Sequence, residues 1–295
     1  MPIVDERSRT AEIQRKIFRI KRLSAMPPVV WRLMEALLDE NASIRTIESI
    51  IESDPALTSK VLSLANSAYY GVVQKITTIS RAVVVIGFRE LEVLAMGTGL
   101  AEIFDLKRAP EDFDGQGLWF HCMAAAWLGR ELAEAARYPV PGEIMVAGLL
   151  HDLGKLVLAT SLTEELMAVL DLVRQGTPFP EAEESLGVAH TKVGHWLALR
   201  WGLPEIHVAA IRDHHAPKST DPYLVSTSLV FLADVIVKKL NVGLVQESRP
   251  ASLARAMEDA RLDVDRVREV AARAREQIPP MLEVWGRLIE KGPPT

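Results

Sequence analysis

The sequence predicts an all-α protein, a multi-helix bundle, on three observations. Apolar residues recur at three- and four-residue steps along almost its whole length, the repeat of an amphipathic helix. β-branched runs that alternate between turn signals are scarce. Pro- and Gly-containing breaks, among them PVPG, GTPFP, GLP and APKSTDP, cut the chain into pieces of helix length. At 295 residues these pieces exceed one usual domain, and two helical subdomains sharing a core are expected.

The opening MPIVDERSRTAEIQRK is polar and charged, unlike a secretory leader, and no helix is marked before Pro28. Helices are expected over Pro28 to Glu40 and Ser43 to Glu52, the latter with Ser43 as N-cap. Asp54-Pro55 is a strong start signal, because Asp caps free N–H groups and Pro tolerates the first helical position. That helix carries Leu57, Val61 and Leu64 on one face and runs to Asn66-Ser67, with Gly71 marking the break. Asn66 is expected to make a helix-end or inter-helix hydrogen bond. Thr78 to Gly87 and Glu90 to Ile103 supply two further helices.

The stretch DLKRAPEDFDGQG, Asp105 to Gly117, turns abruptly charged and is the candidate subdomain boundary. Beyond it, helices are expected over Trp119 to Arg137, Gly142 to Ala159, Thr163 to Gln175, Pro180 to Leu186, Thr191 to Trp201, Pro204 to His214 and Leu224 to Leu240. The final segment, Ala251 to Lys291, reads as an amphipathic pair packed on the body.

A net charge of −5 gives no overall attraction to a polyphosphate backbone, so nucleic acid is not an expected partner. The lone cysteine, Cys122, excludes an internal disulfide and reads as a small core residue. No apolar run is read as approaching the ~20 residues of a membrane span, and a cytoplasmic location without a membrane partner is expected.

All seven histidines follow residue 120. The most informative stretch is VAGLLHDLGK, where His151-Asp152 interrupts an apolar helix. A buried unpaired carboxylate is costly, so Asp152 requires a metal or a cation. An imidazole ligating through one nitrogen and a carboxylate bridging two ions suit such a pair. Gly148 and Gly154 would leave room beside it, and Lys155 could meet an anionic substrate group. Alone, His121 reads as a core histidine and His214-His215 as helix-end polarity. Asp234 shares a helical face with Val230, Ala233 and Val237, which implies a buried role. His190 could point with Gly194 toward the same pocket.

Other signals carry less. Gly97-Thr98-Gly99 is a fragment of a dinucleotide-type loop with no strand before it. His195 lies ~140° around its helix from His190 and faces away. His207 shares a face with Ile211 and His214 and is a substitute ligand. Trp196 and Trp201 read as core anchors, and Lys238-Lys239 as a charge pair near a helix C-terminus. N and O donors without thiolates suit iron, manganese or zinc.

The ordered set His121, His151-Asp152, His190, His214-His215, Asp234 resembles the HD superfamily. Its arrangement is most similar to the HD-GYP branch, whose bimetallic centres hydrolyse cyclic di-GMP. That resemblance implies one ion on His121, His151, Asp152 and Asp234, with Asp152 bridging to a second ion on His190, His214 and His215. The GYP signature is absent, since APKSTDPYL follows the double histidine.

The broader resemblance is to the HDOD family, the HD-related output domain, over residues 18 to 240. It rests on LSAMPPVVWRLMEALLDENAS, IIESDPALTSKVLSLANSAYYG and ITTISRAVVVIGFRELEVLAM as well as on the histidine-rich half. It implies an extension over 1–17, an amino-terminal helical subdomain over 18–110, an HD-like metal-binding subdomain over 111–240 and a C-terminal helical extension over 241–295.

HDOD members are signalling or regulatory modules, and many have lost the metal-binding residues that this chain keeps. A regulatory module with a dinuclear centre of two divalent transition metals, iron foremost, is therefore expected. Its partner would be a signalling protein or a phosphorylated small molecule. The alternative is a metal-dependent phosphohydrolase in which a metal-bound hydroxide attacks phosphorus, with Asp152 and Lys155 as catalytic residues and Lys155 steadying the phosphate.

Overall fold

The computed structural model describes residues 6–21, 28–39, 43–67, 70–87, 90–91, 93, 95–97, 101, 109–243 and 252–290. Among the described residues there is no strand, and fifteen α-helices have both ends described. The amino-terminal half holds α1 (Glu6–Arg19), α2 (Pro28–Leu38), α3 (Ile44–Glu52), α4 (Pro55–Ala65) and α5 (Ile79–Ile86). The histidine-rich half holds α6 (Gly115–Ala135), α7 (Pro141–Leu150), α8 (Leu153–Ser161), α9 (Thr163–Arg174), α10 (Phe179–Ser185), α11 (His190–Trp201), α12 (Glu205–Asp213) and α13 (Leu224–Lys239). Two more helices follow, α14 (Leu253–Asp259) and α15 (Val264–Glu290).

Local chemistry starts the early helices where the sequence marks them. The Ser43 hydroxyl accepts from the Thr46 amide at 3.2 Å, and Asp54 accepts from the Leu57 amide at 2.9 Å ahead of Pro55. Asn66 ends α4 and braces the following loop. Its side-chain amide donates to the carbonyls of Leu62 and Ile76, and its oxygen accepts from the Ile76 amide.

Three features depart from expectation. The polar opening contains α1, whose Ile13 and Ile17 are buried against α11. Arg200 donates to the Ile17 carbonyl at 2.7 Å, and Lys16 pairs with Glu165 at 2.6 Å. The helix expected from Gly142 to Ala159 is divided, with α7 ending at Leu150 and Asp152 leaving helical geometry at φ −96°, ψ 20°. Finally, Pro141–Ser161 together is long and apolar enough to cross a membrane, its most apolar 18-residue window having a mean hydropathy of 1.4, but 94 % of that window is buried inside the protein.

In the expected helix from Glu90 to Ile103, residues 90–91, 93, 95–97 and 101 are helical, and the remainder lies outside the described residues, as do Glu40, Thr98 and Gly99. Residues 105–108 of the boundary stretch also lie outside them, and its DGQG end opens α6 rather than a linker. The end of the C-terminal extension, 291–295, and its residues 244–251 are likewise outside.

α6 packs against α7, α13 and α15, and α11 lies against α8 and α12. Trp119, Cys122, Leu128, Val146, Leu197 and Val230 are all buried there. α14 docks on α13 and α15 on α6, the amphipathic pair that the sequence implies. α15 also reaches α4, and α2 packs on α7, so the two halves share one core.

Candidate metal centre

Six local structures each contribute side chains to one point. His121 lies in α6, His151 and Asp152 form the turn between α7 and α8, and Lys155 follows in the first turn of α8. His190 is the first residue of α11, His214 and His215 follow α12, and Asp234 sits in α13. The structure brings all seven predicted ligands together. Six of them are 3 % exposed or less, and the His215 side chain is 26 % exposed.

The seven divide into two groups of donors. In the first, His121 Nε2 lies 3.0 Å from Asp234 Oδ1 and 3.2 Å from His151 Nε2. Asp152 Oδ2 lies 3.3 Å from His151 Nε2 and 3.7 Å from His121 Nε2. In the second, His190 Nε2 lies 2.9 Å from His215 Nε2 and 3.4 Å from Asp152 Oδ1, which is 3.6 Å from His214 Nε2. One oxygen of Asp152 thus belongs to each group.

These spacings fit divalent metals. Ligand bonds of ~2.1 Å place neighbouring donors ~3.0 Å apart in an octahedron and ~3.4 Å apart in a tetrahedron. Asp152 Oδ1, Asp234 Oδ1 and His214 Nε2 are buried without a hydrogen-bond partner. Such orphaned lone pairs are costly unless a cation takes them.

Lysines supply countercharge. Lys155 donates to Asp152 Oδ2 and Lys238 to Asp234 Oδ2, each at 2.8 Å. Burial alone would raise the Asp152 pKa, but Lys155 and His151 hold it well below the usual carboxylate range. Asp234 is held down likewise, with His121, His151 and Lys238 overcoming its burial. Burial opposes the charged form of His151, yet Asp152 and Asp234 raise its pKa to about 9. Lys155 itself is buried at 3 % exposure, its ammonium turned to Asp152. Lys238, which reads in the sequence as a helix-end charge, is part of the cluster.

Sequence reasoning missed Glu183. Its carboxylate lies in α10, 2.5 Å from His190 Nδ1, and also accepts from the His190 amide. Burial raises the Glu183 pKa and lowers that of His190, so one proton at the Nδ1 contact leaves Nε2 facing the other donors. A glutamate in EAEES beside a helix end carries no distinguishing pattern. Glu183→Gln is expected to weaken metal affinity about 10- to 100-fold with the fold retained, read by chelator competition. Unchanged affinity would remove Glu183 from this role.

His195 stays outside the cluster, and so does His207, which the sequence leaves as a substitute ligand. Both His207 ring nitrogens are buried without partners, and burial lowers its pKa from 6.5 to about 4. Below pH 6.5 the unfolded chain takes up a proton that the native one refuses. Stability present above that pH is therefore lost as pH falls toward 4, by about 1.4 kcal/mol per unit. Between pH 7 and pH 5 His207→Leu is expected to lose about 2 kcal/mol less than wild type in urea unfolding. Equal losses would contradict this.

The HDOD domain family model matches residues 23–217. An uncharacterised protein of Treponema pallidum (strain Nichols) is 27 % identical over 239 residues, 80 % of this chain and 46 % of that protein. The chain thus spans about half the length of that curated relative. An HDOD domain protein of unknown function from Geobacter sulfurreducens has a similar crystal structure, with TM-score 0.77 and 25 % identity over 96 % of this chain and 99 % of that one. A candidate phosphohydrolase from Shewanella amazonensis SB2B gives TM-score 0.68 at 22 % identity, covering 95 % and 98 % of the two chains, a likeness of fold. The family match runs from before α2 to just beyond the double histidine, through helices that the Geobacter protein shares, and the chain belongs to the HDOD family.

Proposed function

We propose that this protein is a signal-transduction module whose histidine-rich half holds two divalent transition-metal ions as a fixed centre. Iron is the preferred metal, with manganese and zinc as alternatives, because the donors are imidazoles and carboxylates without thiolates. His121, His151, Asp152 and Asp234 would hold one ion, and Asp152, His190, His214 and His215 the other. The observation that carries this reading is closure: six of the seven donors are 3 % exposed or less. Four protein donors would face each ion, the full ligand count of a closed structural site, whereas catalytic sites keep a position open.

The subdomain limits follow the family resemblance, 18–110 and 111–240, flanked by extensions over 1–17 and 241–295. The output is binding, to a signalling protein or a phosphorylated small molecule. Nucleic acid is disfavoured by the net charge of −5. A cytoplasmic location without a membrane partner agrees with the burial of Pro141–Ser161.

A second reading, a metal-dependent phosphohydrolase, is favoured by the complete donor set and by the 26 % exposure of the His215 side chain, the one donor reachable from outside. Bound ions would supply Lewis acidity toward a phosphoryl oxygen. Asp152 would hold the centre together, and Lys155 would keep that carboxylate ionised; steadying a phosphate would require Lys155 to leave Asp152.

Elemental analysis of the purified protein, followed by a panel of phosphomonoesters and phosphodiesters, tests both readings. Two metals per chain with no turnover supports the regulatory centre. Turnover that Asp152→Ala abolishes would replace it by the hydrolase, and a metal-free protein would end both.

A further inference from the structure

Away from the metal centre, a cleft of about 230 Å3 opens where the C-terminus of α6, the N-terminus of α13 and the C-terminus of α14 meet. Arg137, Tyr138, Tyr223, Ser226 and Arg261 are among the residues that line it, and no carboxylate does. Neither arginine side chain has a hydrogen bond or ion pair among the described residues. Arg137 and Arg261 both have positive φ, 54° and 58°. They occupy the position just past a helix end that glycine fits without strain. A cation beside a helix C-terminus is favourable anywhere; here two of them border one cavity.

Among the lining residues the charge balance is positive, with Glu143 just outside them at the Tyr138 hydroxyl. Two helix C-termini contribute about −0.5 each and one N-terminus about +0.5, against two full guanidinium charges. The first-turn amides of Val225 and Ser226 have no partner within α13 and add donors on the same wall. Tyr138 is held in place through its hydroxyl, which donates to Glu143 at 3.0 Å.

We propose that this cleft binds a nucleoside monophosphate. The base lies against Tyr138 and Tyr223, whose rings offer flat faces to it. The phosphate sits at the rim between Arg137 and Arg261, both exposed, within reach of the first-turn amides of α13. The volume falls below the ~300 Å3 at which enclosed small-molecule sites begin, which suits a buried ring with its phosphate outside. The inference is independent of what the metal centre does.

Calorimetric titration of the full-length protein with AMP, adenosine and inorganic phosphate tests it. AMP is expected to bind at least about tenfold more tightly than either fragment, as loss of a charge-assisted contact implies. Arg137→Gly and Arg261→Gly should each weaken AMP about tenfold. Because glycine suits both backbone positions, their melting temperatures should stay level or rise, which separates lost binding from lost folding. No binding of AMP at millimolar concentration would overturn the proposal. So would undiminished binding by the double glycine variant, or equal affinity for inorganic phosphate and AMP.

Discussion

Asp152→Ala is expected to cost about 3–5 kcal/mol of stability and, on the proposed two-metal reading, to empty both positions. The stability loss comes from Lys155, whose side chain is 3 % exposed and would lose the carboxylate it contacts at 2.8 Å. The metal loss comes from geometry, because one Asp152 oxygen faces each donor group. Adding Lys155→Met separates the two effects. The double variant should recover most of the stability in urea unfolding, since no buried charge is left unmatched, while elemental analysis still finds no metal. Wild-type metal content in either variant would mean that Asp152 holds neither ion of the proposed pair.

Gly154→Ala is expected to destabilise by about 3 kcal/mol or more, through overpacking of backbone against backbone. A Cβ at residue 154 would stand 1.8 Å from the His190 carbonyl oxygen and 2.8 Å from the Gly194 amide nitrogen. Neither neighbour is a side chain that can turn aside, so α8 and α11 must separate. His190 opens α11, and on the proposed two-metal reading its displacement should reduce metal content from two ions toward one. Thermal melting by circular dichroism and metal analysis read the two effects. A variant with unchanged melting temperature would show that the crossing can relax.

This crossing corrects one reading of the sequence. Gly148 and Gly154 suggest open room beside His151-Asp152, but that room is filled by other backbone. A Cβ on Gly148 would meet the Ala125 carbonyl oxygen at 2.6 Å. Composition alone does not distinguish a glycine that makes space for a ligand from one that admits a neighbouring helix.

Helix starts with their own local chemistry were legible, and those that depend on distant contacts were not. Ser43 and Asp54-Pro55 announce α3 and α4 because the capping side chain lies within three residues of the amide it satisfies. α1 has Ile13 and Ile17 as its buried pair, too sparse a stripe to read without α11 beneath it. The start of α6 is hidden by its glycines. DGQG reads as a break, yet Asp114 caps the helix through the Gly117 amide, and a Cβ on Gly117 would stand 2.1 Å from that carboxylate.

The clustering of the seven side chains was legible because ligand chemistry restricts residue type: a histidine or aspartate in an apolar stretch needs a reason. Its supporting residues were not. Glu183 and Lys238 look like ordinary surface charges until α10 and α13 carry them inward. Lys155, expected to meet a phosphate, has its ammonium on Asp152.

The packing of α1 on α11, and of α15 on both α4 and α6, stitches early segments to late ones across most of the chain. A single protease nick between α5 and α6 is therefore expected to leave two fragments that co-elute on size-exclusion chromatography, held by these packed helices. Those contacts tie the two ends of the sequence together independently of the chain that runs between them.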